Sequence, residues 1–273
     1  MEDWMKLADS ELFGTVIVPE DFSEILTLAT FDIHNERNIY MWRGQGDIAW
    51  PIHSSAYRRL MKDRDYPLGE HVMRDYEREL LLNAQHQGYH FENGRELSDF
   101  ELLAKLQHHG AATRMIDVSR NILVALWFAC DSMRDKTGLL FGLHYSAING
   151  FEGRPDKRSY NQVFDRKTDI ATNEDDFDDT PTLWQPPVVT KRIAAQSAQF
   201  LYSRVSNDRT GSLSFRCGEN IVNMIAITPE MKTKCLKILE NTFDIRRFTL
   251  FPDIDGFCFS NSTNFGCHSN ERW

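Results

Sequence analysis

Nine consecutive residues, Ile122-Leu123-Val124-Ala125-Leu126-Trp127-Phe128-Ala129-Cys130, carry no charged or amide side chain. Wound as a helix, such a run is apolar on every face and has to be enclosed on all sides. It is the longest apolar stretch in the chain, yet it falls far short of the roughly 20 residues that cross a bilayer. The run therefore calls for a packed core rather than a membrane. With 273 residues, 41% of them apolar and 12% aromatic, the chain can build that core without staples. The opening Met1-Glu2-Asp3-Trp4-Met5-Lys6 is acidic at once and unlike a secretory leader, so a cytoplasmic protein is expected.

Five cysteines, at 130, 217, 235, 258 and 267, form no C-x-x-C pair and no zinc pattern. Free thiols in a reducing compartment are the expected state. A formal net charge of -9 leaves no footprint for broad, non-specific nucleic-acid binding.

The elements follow from periodicity. Phe22, Ile25, Leu26 and Ala29 sit at helical spacing after Pro19-Glu20-Asp21. Asn38 to Arg43 reads as a strand that Gly44 ends. Glu70 to Ala84 reads as a helix with a Val72, Met73, Tyr76, Leu80 stripe and Glu77 beside it. Asp99 to Gln107 reads as a helix capped by Ser98 or Asp99, with Gly110 as its left-handed terminator. Asp117 or Ser119 is expected to cap the apolar helix. Strands are expected at Gly138–Tyr145, Ala198–Ser203, Ile221–Thr228 and Phe257–Ser260, and Thr228-Pro229-Glu230 opens a helix. Mixed helices and strands without repeats indicate an α+β fold, with mixed, largely antiparallel sheets flanked by helices. One domain spans 1–273. It is interrupted over 146–187 by a polar, Pro-containing insertion whose acidic run, 173–179, lacks the Gly and distal Glu of a calcium loop.

Three clusters carry chemical potential. In Trp42-Arg43-Gly44-Gln45 an arginine at a strand end, followed by Gly, can hold an anion by its rigid fork of donors. The bland alternative is a structural salt bridge. The segment Gln107 to Asn121 sets His108, His109, Thr113, Arg114, Asp117, Ser119 and Arg120 ahead of the apolar helix, whose N-terminus favours negative charge. The alternative there is a capped helix with satisfied side chains. Adjacent His108 and His109 do not have metal-ligand spacing, so no metal is expected. Lys191 to Phe200, with Gln196, is the weakest of the three.

Together these clusters resemble the FRG domain, a bacterial family named for an aromatic-Arg-Gly motif. The motif stands here as Trp42-Arg43-Gly44, with Trp in place of the usual Phe or Tyr. Trp50 and Ser54-Ser55-Ala56-Tyr57-Arg58, then Glu77, then Gln107-His108-His109-Gly110 with Thr113, Arg114, Asp117 and Asn121 through Ala129, resemble its successive blocks. Val118-Ser119 departs from the common Trp-Thr. Arg192-Ile193 with Gln196 and Phe200, and Leu250 to Gly256, resemble later blocks. The motif order is also similar to that of ADP-ribosyltransferases, which place an Arg on an early strand, a Ser-Thr-Ser strand before a helix and a Glu on a later strand.

That likeness implies NAD as substrate and an NAD-consuming or ADP-ribosyl-transferring effector, in toxin action or anti-phage defence, with an unnamed macromolecular acceptor. It implies catalytic roles for Arg43, His108, Asp117 and Gln196. Substrate contacts would fall to Trp42, Gly44, Gln45, Arg58, Gln107, His109, Thr113, Arg114, Ser119 and Asn121. Gln196 carries no charge where those enzymes have Glu, so Asp117 or Glu77 would have to supply one. The alternatives are a non-catalytic module that binds a nucleotide or phosphorylated ligand, and a nucleic-acid enzyme with a histidine base, which the net charge disfavours.

Overall fold

The computed structural model describes residues 5–30, 40–92, 94–145, 148–150, 158–164, 181–187, 190–213, 222–264 and 266. In chain order the elements are β1 (Leu7–Ser10), β2 (Gly14–Ile17), α1 (Phe22–Thr30), β3 (Tyr40–Gln45), α2 (Ser55–Met61), α3 (Glu70–His86), β4 (Phe91–Glu92), β5 (Arg95–Glu96), α4 (Asp99–His108) and β6 (Ile116–Ser119). There follow α5 (Ile122–Asp131), β7 (Gly138–His144), α6 (Tyr160–Phe164), β8 (Thr182–Trp184), α7 (Lys191–Ala195), β9 (Ala198–Tyr202), β10 (Val222–Ile227), α8 (Pro229–Phe243), α9 (Arg247–Leu250) and α10 (Ile254–Ser260).

Eight of the described strands form one sheet in the order β1-β2-β10-β7-β3-β6-β9-β8. Every pairing is antiparallel except β10 with β2. The fold is α+β, with a mixed, largely antiparallel sheet flanked by helices. No helix among the described residues is long and apolar enough to cross a membrane.

The apolar helix α5 is the centre of the first core, where Val124, Leu126, Trp127 and Cys130 pack with Trp42, Leu140, Ile225 and the α8 residues Cys235 and Leu239. It lies so close to β3 that a Cβ at Gly44 would come 1.8 Å from the Ala125 carbonyl oxygen and 2.6 Å from the Ala129 nitrogen. Gly44 therefore does not end the strand as expected. It sits inside β3 and admits the helix, and β3 runs on to Gln45. Beside it, a Cβ at Gly142 would meet the Trp42 indole at 2.5 Å, so that glycine makes room for the tryptophan. The start of α5 is capped by Asn121, whose side chain accepts from Leu123 N. The expected caps, Asp117 and Ser119, are strand residues of β6. At the far end the fully buried Lys232 donates to the carbonyls of Gly46, Ser132 and Met133 at 2.6, 3.0 and 2.9 Å, which satisfies acceptors around the end of the helix.

A second core joins α3, α4 and α6 to the outer strands through Phe100, Leu103, Tyr160, Trp184, Phe200 and Tyr202. A third lies on the other side of the sheet around Met41, Phe141, Ile116, Val118 and Leu201. Side chains alternate across β6 and β9: Ile116, Val118 and Leu201 join the third core, and Phe200 and Tyr202 join the second.

Three further sequence readings meet the structure. Ser98 caps α4 in a reciprocal box with Glu101, an arrangement that stabilises a helix start by about 1 kcal/mol. Thr228 caps α8, with Pro229 in its first turn. Phe257–Ser260, expected as a strand, belongs to α10, because the Asp253 carboxylate accepts from Gly256 N and starts a helix. Phe257 and Phe259 are both exposed there, so their alternation is not that of a half-buried strand. Of segment 146–187, the acidic run 173–179 and most of the polar stretch lie outside the described residues. Within it, α6 places Tyr160 and Phe164 in the second core, and β8 is the edge strand next to β9.

Candidate functional site

The first and second cores cover the same face of the sheet from α5 and from α4, and a cavity of about 300 Å³ lies between them. That is the lower end of the size that takes small-molecule ligands. Its floor is where β3 and β6 meet, strands that share a single register pair, Trp42 with Ser119. Beside that pair Arg43 Nη1 donates to the main-chain carbonyl of Asp117 at 2.8 Å, a side chain serving where a strand bond would otherwise stand. The Arg43 Nε is buried and makes no hydrogen bond, an unsatisfied donor on a fixed cation beside the cavity floor. Burial pushes the Arg43 pKa down, the Asp117 charge opposes this, and Arg58 adds repulsion. An arginine remains a cation through such shifts.

The Asp117 carboxylate also lines the cavity. It is reached by solvent from that side and surrounded by protein elsewhere. Loss of water around it raises its pKa above the ordinary carboxylate value, while the Arg43 charge and a hydrogen bond from Gln107 pull it back. Water in the cavity moderates the rise. The Gln107 bond, Nε2 to Asp117 Oδ1, is 2.9 Å long. The amide is itself held the right way round, because the Thr113 hydroxyl donates to Gln107 Oε1.

The opposite wall is built by α7 and by the turn between α9 and α10. Arg192 makes a two-pronged ion pair with Asp253, both contacts at 2.8 Å, and lies over the Phe251 ring at 4.8 Å. His108 Nε2 stands 3.5 Å from the same Asp253 carboxylate. Burial lowers the His108 pKa, Arg192 lowers it further, and Asp253 counters both, so the imidazole is neutral near pH 7 and able to accept a proton. For Asp253, burial works upward, but the Arg192 and Gly256 hydrogen bonds and the nearby charges outweigh it and hold the carboxyl below its ordinary value. Ser119 Oγ donates to the Gln196 carbonyl at 2.7 Å, and the Gln196 amide donates to the Leu250 carbonyl at 3.0 Å. Trp42, Phe128, Phe200 and Phe251 supply apolar surface.

Of the residues singled out in the sequence, the cavity gathers Trp42, Arg43, Gly44, Gln107, His108, Asp117, Ser119 and Gln196. Thr113 stands behind Gln107. The others are elsewhere. Arg114 is buried under the second core, donating to Glu77 at 2.6 Å, Glu70 at 2.9 Å and the Tyr160 hydroxyl at 2.7 Å, with its guanidinium 3.7 Å from the Phe164 ring centre. It ties α3, β6 and α6 together, and Glu77 is its fully buried counter-ion. Gln45 braces a turn through the Trp50 carbonyl, Arg58 is exposed and donates to the His53 carbonyl, and Asn121 caps α5. His109 is exposed near Asp255 at 3.7 Å. His108, His109 and Asp255 are the described residues that group as potential metal ligands. Missing from the sequence-derived site were Arg192, Phe251 and Asp253. Arg192 stands in the weak Lys191–Phe200 cluster, and the signal for Phe251 and Asp253 was their place in the later blocks of the resemblance.

The segment that holds the floor and one wall of this cavity can be compared with known families. Residues 38–138 match the FRG domain. The FRG match begins two residues ahead of β3, runs through α4, β6 and α5 to the first residue of β7, and so includes Trp42, Arg43, Gln107, His108, Asp117 and Ser119. Arg192, Gln196 and Phe251, which close the cavity, lie beyond it. No curated protein and no solved structure matches the chain.

Proposed function

We propose that the cavity binds NAD and that the chain cleaves its nicotinamide–ribose bond, as an NAD-consuming or ADP-ribosyl-transferring effector of toxin or anti-phage type. The observation that carries this reading is Asp117, a carboxylate that shares the cavity lining with the Arg43 cation bonded to its own main chain. The difficulty in the sequence was Gln196, uncharged where ADP-ribosyltransferases have Glu. Asp117 lines the same cavity as Gln196 and supplies the charge.

In this reaction the C1′–N bond breaks and nicotinamide leaves with the bonding electrons. The ribose becomes an oxocarbenium-like cation, which a fixed carboxylate stabilises in a partly dry site. Water or a nucleophile on a macromolecule then adds to C1′ and gives up a proton, for which neutral His108 is the acceptor. Arg43 holds a phosphate oxygen, and Phe251, Phe128 and Trp42 give a base its apolar surroundings. The order of Arg43, the 113–119 segment before α5 and Gln196 agrees with the ADP-ribosyltransferase order, as an analogy of sequence arrangement.

The test is nicotinamide release from NAD by the purified chain, with and without cell lysate, beside Arg43→Ala and Asp117→Asn. Release that both substitutions abolish supports the reading, and lysate dependence identifies transfer to a macromolecule. NAD binding without release would replace it with the binding-module reading, which the neutral Gln196, tied to the Leu250 carbonyl, favours.

A further inference from the structure

Adjacent histidines on one helix point away from each other and make a poor metal site. Here the helix ends between them. His108 is the last residue of α4, and His109 is its C-cap, with φ −90° and ψ 15°. Gly110 follows at φ +89° and turns the chain away. The two imidazole rings consequently lie 4.9 Å apart at 78° to one another. Asp255, in the first turn of α10, reaches them from a separate element. One ring nitrogen from each histidine and one Asp255 oxygen all lie within 4.8 Å of one another.

We propose that His108, His109 and Asp255 form a binding site for a divalent transition metal at the mouth of the cavity. Two imidazoles and one carboxylate form a donor set suited to zinc and its neighbours rather than to magnesium or calcium, which take oxygen. Ligands at about 2.0–2.2 Å from an ion stand closer together than 4.8 Å, so a modest closure is required. His109 and Asp255 are free to make it, since 61% and 60% of their side-chain surfaces are exposed. The surroundings are those of a supported metal ligand. Asp253 faces His108 Nε2 at 3.5 Å while held by Arg192, and a carboxylate on one ring nitrogen orients an imidazole so that the other can bind the ion. Three protein ligands leave a position for water or for a ligand in the cavity, which His108 also lines; with the ion bound, His108 is a ligand and no longer available as the proton acceptor of the proposed reaction.

The experiment is calorimetric titration of the chelator-treated full chain with zinc alone, in the absence of any nucleotide, so its result does not depend on the proposed reaction. One equivalent should bind at micromolar affinity or tighter. His109→Ala and Asp255→Asn should each weaken it at least about 10-fold while leaving metal-free thermal unfolding unchanged, because both side chains are exposed. Cobalt in place of zinc should give visible bands without a thiolate charge-transfer band. No stoichiometric binding, affinity that both substitutions leave intact, or a thiolate band would each overturn the assignment.

Discussion

Gln107 donates to the Asp117 carboxylate across 2.9 Å from the last turn of α4 to the middle of β6. This bond joins the two sides of the cavity floor and bears on both the charge and the stability of the site. The folded Asp117 pKa lies above its ordinary 3.8. Its contribution to stability is therefore present in full below the unfolded value and is lost as pH rises through the folded one. At neutral pH the ionised carboxylate opposes folding. Water reaching the exposed Asp117 screens this effect, so Asp117→Asn should raise the unfolding temperature at pH 7 by at most about 1 °C while nicotinamide release falls about 100-fold or more. Gln107→Ala removes a donor that lowers the Asp117 pKa, so the acid limb of the release profile should move to higher pH. An unmoved limb would mean that Asp117 is not the titrating group.

Arg114 should behave in the opposite way. Its substitution by Met leaves Glu77, fully buried, without its counter-ion. The expected loss is about 3–5 kcal/mol in denaturant unfolding. A loss below about 1 kcal/mol would show that the Arg114–Glu77 pair contributes little to the stability of the fold.

Gly44→Ala tests the contact between α5 and β3. The added methyl would meet helix backbone, which cannot swing aside as a side chain can. A destabilisation of about 3 kcal/mol is expected, together with reduced nicotinamide release as the cavity wall shifts. A near-neutral result would mean that α5 sits farther from the strand.

His53, which does not line the cavity, is a second pH-sensitive point. Burial, with help from Arg58, lowers its pKa from 6.5 to about 4, and its Nδ1 is buried without a partner. Its contribution to stability is present above pH 6.5 and lost as pH falls through about 4. Thermal unfolding followed between pH 7.5 and 4 should show a smaller fall for His53→Gln than for the parent chain. The variant should be somewhat less stable at pH 7.5, because the stacking of His53 on Tyr57 at 4.3 Å is lost.

Local signals were sufficient for much of this protein. An all-apolar run has to be buried, Ser98 with Glu101 and Thr228 with Pro229 mark helix starts by their own hydrogen bonding, and the aromatic-Arg-Gly strand with the Gln107–Asn121 segment carried the resemblance to the FRG domain. Residues within a few positions of each other carry that information. The tertiary structure decided which polar residues share a cavity. Arg43 and Arg114 look alike in the sequence, each within a conspicuous motif. One bridges the seam of β3 and β6 beside the cavity, and the other is neutralised by Glu77 and Glu70 under a different core. Arg192 and Phe251 reach the cavity only because α7 and the α9–α10 turn fold back over it. Sheet pairing and helix packing between distant segments set those positions, and the charge state of each group follows from the water and the partners that this packing leaves it.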